Sequence, residues 1–180
     1  MNALIFIVSA VLQIVLIVFL LRVLLPLSRS DARNQLSQAV IRLSNPLVMP
    51  LRKVLPPVGK VDTASVIALL LVQTAVSAAL WLLGAFPWVL GAPQFVRLVL
   101  ISLVTLVLHF YIFALLLYVL LSWVAPGTYS PAAALLESLC EPLLRPVRRL
   151  IPQLAGIDFS ALILIILLQA TNILIGGLGV

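Results

Sequence analysis

Four long apolar runs dominate the chain, and most polar and charged residues lie in the segments between them. A membrane-spanning helix needs about 20 mostly apolar residues, because each residue adds about 1.5 Å across a hydrocarbon core about 30 Å thick. The runs predict spans at about residues 3–25, 64–83, 98–124 and 159–175. The first run has no basic residue before it and is too long for a signal-peptide core, so we expect it to be retained. The pattern predicts an all-α membrane protein with four transmembrane helices.

One passage of the sequence occurs twice, 96 residues apart and without a gap. Residues 43–73 and 139–169 share ten identities over 31 positions, including three prolines, an arginine, an aspartate and a glutamine. Such self-similarity indicates that the structural unit is about half of the chain. We therefore predict two repeats, residues 1–90 and 91–180, each a helical hairpin.

Each repeat has a polar segment between its two predicted spans, which we call an elbow: residues 26–63 in the first and 125–158 in the second. The elbows hold most of the Lys and Arg residues, whereas the connection between the repeats holds only Arg97. Because short loops rich in Lys and Arg stay on the cytoplasmic side, we expect cytoplasmic elbows and periplasmic termini. The two hairpins then have the same orientation, as a parallel repeat about a pseudo-two-fold axis along the membrane normal.

The elbows carry apolar residues at helical spacing and then a series of prolines. Leu36, Val40, Leu43 and Leu47 in the first elbow predict a short amphipathic helix in the membrane interface, and the second elbow has an equivalent stripe. Prolines recur every four to six residues beyond these stripes. Because proline lacks a backbone donor and restricts the residue before it, we expect bent, partly extended segments there.

The proline-rich passages resemble the signature of the YggT family of bacterial inner-membrane proteins, which has relatives in plastids. The second copy reads Glu-Pro-Leu-Leu-Arg-Pro-Val-Arg-Arg-Leu-Ile-Pro from Glu141, followed by Gly-Ile-Asp-Phe-Ser-Ala from Gly156, and the first runs from Asn45 to Asp62. The first elbow departs mildly, with Gln35 where a proline often stands. The resemblance implies an inner-membrane location and links to osmotic stress, cell division or envelope organisation. It implies no catalytic or cofactor-binding residues.

Composition supports a membrane protein and narrows its partners. The chain is 64% hydrophobic with a mean hydropathy of +1.30 and a net charge of +6. The bases lie between apolar runs and not on one soluble face, so we expect a membrane surface, with its anionic lipid head groups, and no nucleic acid as the direct partner. One cysteine and one histidine favour neither an internal disulfide nor a zinc site, and we expect Cys140 to be a buried structural thiol rather than a palmitoylation site.

The elbows contain the candidate binding residues. A base near an anionic membrane contributes on the order of 1 kcal/mol, so several together can hold a lipid head group or a partner. The alternative is that they only fix orientation. Asp62 and Asp158, which precede the second and fourth spans, are predicted helix caps, with a salt bridge to an elbow base or an ion-entry carboxylate as the alternatives. The lipid- or partner-binding candidates are Arg52, Lys53, Arg145, Arg148 and Arg149.

Four polar residues are predicted at similar depth near the middle of the membrane: Gln13, Gln73, His109 and Gln169. Gln73 and Gln169 follow the aspartates by eleven residues, which is about 16 Å along a helix. A polar group in hydrocarbon is costly unless it faces protein or water. These residues therefore either hold helices together by hydrogen bonds or line a path across the membrane.

No Gly-rich phosphate loop, nucleophile with a neighbouring base, or cluster of metal-ligand spacing occurs in the sequence. We therefore predict a protein that is not an enzyme and needs no metal or cofactor. Our leading hypothesis is a membrane scaffold or assembly factor that acts through its elbows, with a membrane-protein partner or as a homo-oligomer. The alternative hypothesis is a small ion or solute channel or transporter active under osmotic stress.

Overall fold

The computed structural model describes residues 3–28, 34–57, 61–86, 91–124, 130–150 and 159–178. These residues form six α-helices in chain order. They are α1 (Ala3–Leu27), α2 (Gln35–Val54), α3 (Thr63–Leu82), α4 (Ala92–Val124), α5 (Pro131–Leu150) and α6 (Ser160–Leu178).

Four of these helices, α1, α3, α4 and α6, are long and apolar enough to cross a membrane. This confirms the prediction of an all-α protein with four candidate spans. Helix α4 begins at Ala92, about six residues before the predicted start of the third span. Pro93 fits in the first turn, where a helical amide has no partner in any case, and the Gly91 carbonyl accepts the Phe95 amide.

The spanning helices of each repeat pack against each other, α1 against α3 and α4 against α6. Leu16, Phe19 and Leu20 of α1 meet Ala68 and Leu69 of α3 in one buried cluster. A second cluster joins Ala114 and Leu115 of α4 to Ala161 and Leu164 of α6, with Cys140 and Leu144 of α5. Small alanines let the helix backbones approach closely, which is how helices associate inside lipid.

Both elbow helices continue through their prolines, so the expected bent, partly extended segments are wrong within the described residues. Pro46 and Pro50 lie inside α2, and Pro142 and Pro146 lie inside α5. Each pair has a spacing of four, which places both prolines on one side of the helix, and all four are exposed. The opposite side is held by packing, because Val48 of α2 and the equivalent Leu144 of α5 are fully buried. Tertiary contacts therefore outweigh the hydrogen bonds that the prolines remove.

The beginnings of α2 and α5 are joined to each other. The Asn34 side chain caps α2 by accepting the Leu36 amide, and its Nδ2 donates to the carbonyl of Pro131 at 2.7 Å. Ser130 caps α5 by accepting the Ala133 amide. A third buried cluster lies at this end of the molecule and contains Leu25, Val40, Leu135 and Leu139.

The core can be tested by truncating one leucine in each of two environments. Leu20 is 2% exposed and Leu174 is 72% exposed. We expect Leu20→Ala to lower the free energy of unfolding by about 2 to 5 kcal/mol, because it leaves a cavity, while Leu174→Ala has little effect. Reversible unfolding of the purified protein in mixed micelles measures both values. Equal losses for the two variants would contradict the packing described here.

Candidate functional site

A cluster of charged residues joins the end of α2 to the start of α3. Arg52 forms a salt bridge with Asp62 Oδ2, and Ser65 Oγ donates to the same oxygen at 2.8 Å. Asp62 occupies the cap position of α3, but its side chain makes no hydrogen bond to a helix amide. The predicted capping role is therefore replaced by the salt bridge, because the bases brought by α1 and α2 attract the carboxylate more strongly than the first turn does.

The surroundings of Asp62 change its ionisation. Burial raises the pKa of the carboxyl, but the hydrogen bond from Ser65 and the ion pair with Arg52 outweigh this effect and hold the pKa below its usual value. Asp62 Oδ1 is buried and has no hydrogen-bond partner among the described residues. Asp62 is thus ionised at neutral pH and is held by one of its two oxygens.

Arg22 of α1 lies close to this cluster, and the sequence reasoning missed it. Its side chain lies inside the protein with only 7% of the residue exposed, and both Arg52 and Asp62 act on it electrostatically. The signal was available, since an arginine inside an apolar run is costly unless it faces protein and is a candidate functional residue by default. The cluster contains two bases and one acid and therefore carries a net positive charge.

The described partners of the equivalent base in the second repeat, Arg148, are different residues. Arg148 Nη1 donates to Glu141 Oε2 at 2.9 Å, and Nη2 donates to the Tyr118 hydroxyl at 3.3 Å. Arg145 donates to the other oxygen of Glu141 at 3.1 Å. Tyr118 stands at the position that Arg22 has in the first repeat. Asp158, the predicted second cap, lies outside the described residues.

Each pair of neighbouring bases thus contains one residue in an ion pair and one that forms no ion pair with a described residue. Arg52 and Arg148, the first of each pair, are held by acidic residues of the same chain. Lys53 and Arg149, the second of each pair, are exposed and form no ion pair with any described residue. In the described contacts, the first base is thus paired in both repeats, with Asp62 in one and Glu141 in the other.

The structure brings three of the four predicted mid-membrane polar residues to one cavity. Gln13, Gln73 and His109 line a space of about 300 Å³ between α1, α3 and α4. Gln73 is only 3% exposed, and its Nε2 donates to Ser77 Oγ at 3.3 Å. Its Oε1 is buried without a hydrogen-bond partner among the described residues. The cavity also has hydroxyl groups from Ser9, Ser102 and Thr105.

Gln169, the fourth predicted residue, does not reach this cavity and is exposed on α6. Helix α6 instead offers Asn172, whose Nδ2 lies 3.2 Å from His109 Nε2 and donates to it when that nitrogen carries no hydrogen. Gln13 and His109 also border a second cavity of about 450 Å³, between α1, α4 and α5. The other residues that line this second cavity are apolar.

Cys140 is fully buried against α4 and α6, and burial raises the pKa of its thiol to about 12. Because so small a fraction of the thiol is ionised at neutral pH, Cys140 is a poor nucleophile, and its burial makes it inaccessible to acylation. Its equivalent in the first repeat is the fully buried Ser44. No group of three His, Cys, Asp or Glu side chains that could hold a metal occurs among the described residues.

The Asp62 cluster predicts how the protein responds to acid. Because the pKa of Asp62 is lowered on folding, its stabilising effect is complete above the ordinary aspartate pKa of about 3.9 and is lost as the pH falls through the lower folded value. We expect Asp62→Asn to lower the free energy of unfolding at neutral pH by about 1 to 2 kcal/mol, between the values for exposed and buried pairs.

Unfolding of this variant and of the parent protein in mixed micelles, at neutral pH and below about pH 4, measures both effects. Glu137→Gln is the matched control, since Glu137 is exposed and forms no ion pair with a described residue. The stability difference between the parent protein and Asp62→Asn should shrink in acid. A difference that is independent of pH would contradict the role given to Asp62.

Comparison with known proteins identifies the family. The CCB3/YggT family model matches residues 1–83 and 98–179. The chain is 37% identical over 178 residues to an uncharacterized protein of Pseudomonas aeruginosa, which covers 97% of the chain and 88% of that relative. It is 35% identical over 175 residues to the uncharacterized protein YggT of Escherichia coli K12, which covers 96% of the chain and 88% of the relative.

A protein of Vibrio alginolyticus is 33% identical over 178 residues, covering 99% of the chain and 96% of the relative. No solved structure matches the chain. The match of the family model to both repeats, together with relatives similar over nearly their whole length, shows that the chain belongs to the CCB3/YggT family.

Proposed function

We propose that this protein is a non-enzymatic scaffold or assembly factor of the bacterial inner membrane. In this proposal α2 and α5 lie at the cytoplasmic surface and bind anionic lipid head groups or a membrane partner. The positive-inside distribution of Lys and Arg supports this orientation, and the joined beginnings of α2 and α5 make the two helices one platform. The processes named for the family, envelope organisation, cell division and osmotic stress, are the contexts in which such a platform would act.

The observation that carries the proposal is the division of each basic pair. If the bases served only to orient the chain, their number would matter and their pairing would not. Instead, both repeats pair the first base with an acid of the same chain and leave the second, Lys53 or Arg149, exposed without an acidic partner in the described residues. An exposed cation beside the membrane can bind a lipid phosphate directly, whereas a cation in a salt bridge must first break its ion pair with the carboxylate.

The exposed surface of α2 provides apolar contacts beside these cations. Leu36, Leu43 and Met49 of α2 are exposed, although their helix is packed on its other side. Apolar side chains next to Lys or Arg are the composition of a helix that lies in the lipid interface. Helix α5 has no large exposed hydrophobic residue among those described, so the first elbow would enter the interface more deeply.

Lipid binding tests the proposal. Two bases near an anionic surface contribute about 1 kcal/mol each, so we expect Lys53→Gln combined with Arg149→Gln to weaken phosphatidylglycerol binding roughly 10- to 30-fold. Native mass spectrometry of the protein in micelles, titrated with phosphatidylglycerol or phosphatidylcholine, measures the lipid-bound fraction. The phosphatidylcholine titration should not change.

Arg97→Gln is the matched control for this experiment. Arg97 is also exposed and unpaired among the described residues, but it lies near the start of α4, outside both elbows. Its replacement should leave phosphatidylglycerol binding intact. If the double variant binds phosphatidylglycerol as the parent protein does, the elbows have no head-group site and the proposal is wrong.

The polar cavity favours a second candidate function, a small ion or solute channel. An acceptor buried without a partner, such as Gln73 Oε1, needs a donor from water or a solute. Against a path, the neighbouring cavity toward α5 is apolar beyond Gln13 and His109 and offers an ion no replacement for its hydration shell. This lining is why we place the scaffold first.

Flux measurements separate the two candidates. We expect liposomes that contain the purified protein to pass potassium no faster than protein-free liposomes, as measured with an entrapped potassium indicator. A potassium flux that Gln73→Leu abolishes and Gln169→Leu preserves would establish the channel and overturn our preference. Gln169 is the matched control because it has the same place in the repeat but is exposed and outside the cavity.

A further inference from the structure

The two repeats share a sequence plan but are not packed symmetrically. Helix α3 packs against α4 across the polar cavity. The equivalent pair, α6 and α1, has no comparable packing among the described residues. One helix interface between the two repeats therefore lacks its counterpart among the described residues.

The surfaces that would form the missing interface are exposed on opposite repeats. Ser102, Leu106 and His109 of α4 line the polar cavity. The residues of α1 at the equivalent positions of the first repeat form a surface that we call the α1 face. Gln73, Ser77 and Leu80 of α3 line the same cavity. The residues of α6 at the equivalent positions of the second repeat form a surface that we call the α6 face. The α1 face consists of Phe6, Ala10 and Gln13, the α6 face of Gln169, Ile173 and Gly176, and all six residues are exposed.

The exposed glutamines make these faces costly to leave in lipid. Gln169 is the central residue of α6, and Gln13 lies near the centre of α1. A primary amide has two donors and one acceptor group, and lipid tails can satisfy none of them. Polar side chains at this depth almost always face protein or water. Gln13 already borders two cavities of its own chain, whereas Gln169 borders neither of them, so the α6 face is the one that requires a protein partner.

We infer that this partner is a second copy of the chain, whose α1 face receives the α6 face of the first copy. The two faces are the repeat equivalents of surfaces that already fit each other in the α3 and α4 interface of this chain. The α6 face has less bulk at Gly176 than α3 has at the equivalent Leu80, and no atom lies within 4 Å of the space that a Cβ at Gly176 would occupy, whereas Ile173 is larger than the equivalent Ser77. Glycine and Ala10 allow the close helix approach that is typical of contacts in membranes.

The contact would pair Gln13 of one copy with Gln169 of the next, as His109 and Gln73 share one cavity inside the chain. Each copy has one α1 face and one α6 face, so the contact is head-to-tail. In a dimer, both faces are covered if the α1 face of each copy contacts the α6 face of the other. A larger closed ring covers both faces of every copy as well. This assembly is independent of whether the elbows bind lipid.

Crosslinking between two differently tagged copies tests the inference. Both copies carry Cys140→Ser, which introduces the residue type that Ser44 provides at the equivalent buried position. One copy carries Gln13→Cys and the other Gln169→Cys, so that only a contact between copies joins the two tags. We expect copper-phenanthroline oxidation of native membranes to give a disulfide-linked heterodimer.

The matched control replaces Gln169→Cys with Leu167→Cys. Leu167 is exposed on the same helix at nearly the same depth, but residues two positions apart on a helix face different directions. The yield of heterodimer should be at least about fivefold higher with Gln169→Cys, because a disulfide needs its two Cβ atoms within about 4.5 Å. Equal yields would reflect random collisions and would overturn the inference.

A second measurement does not depend on disulfide geometry. We expect the combined Gln13→Leu and Gln169→Leu variant, labelled with one fluorophore per chain, to lose most of its multi-step photobleaching spots in lipid nanodiscs or membranes. The monomer should remain folded, since both positions are exposed and leucine is compatible with lipid. If the variant retains the parent distribution of photobleaching steps, copies do not associate through these faces.

Discussion

The arrangement of this protein depends on where its polar groups are placed inside hydrocarbon. Leucine gains little by leaving lipid for a protein interior of the same polarity, so apolar contacts alone distinguish poorly between alternative packings. A guanidinium or an amide distinguishes them strongly. Arg22 is therefore buried within electrostatic reach of Arg52 and Asp62, His109 lies beside Asn172, and Gln73 lies inside the molecule. The spanning helices are arranged around these few positions.

The duplication shows which part of each repeat is constrained. Arg52 and Arg148 are identical in the two copies, yet the first is held by Asp62 and the second by Glu141, which replaces Asn45. The acid in the described contacts differs, while both repeats have a first base that is paired and a second base that forms no ion pair with a described residue. An internally fixed arginine at the end of each elbow helix is thus common to both repeats.

The four spanning helices could be predicted from the sequence because each is long enough and apolar enough to need no tertiary information. The continuous helices α2 and α5 could not be predicted, because proline disfavours a helix locally. Only the burial of residues such as Val48 and Leu144 shows that tertiary packing keeps both segments helical. The separation of Gln169 from Gln73 also escaped prediction, since identical residues in a repeat need not meet identical neighbours. The role of Arg22 could have been predicted from the sequence, because an arginine inside an apolar run is costly unless it faces protein.

The exposed prolines of the elbow helices have a consequence for membrane depth. Pro46 and Pro50 provide no amide hydrogen, so the carbonyls one turn earlier, at Arg42 and Pro46, lose their helical donors on the exposed side of α2. Water or a lipid ammonium group can serve these oxygens in the head-group layer, but acyl chains cannot. In the location proposed for α2, its prolines would limit how deeply the helix enters the lipid, whereas its exposed leucines would favour deeper entry.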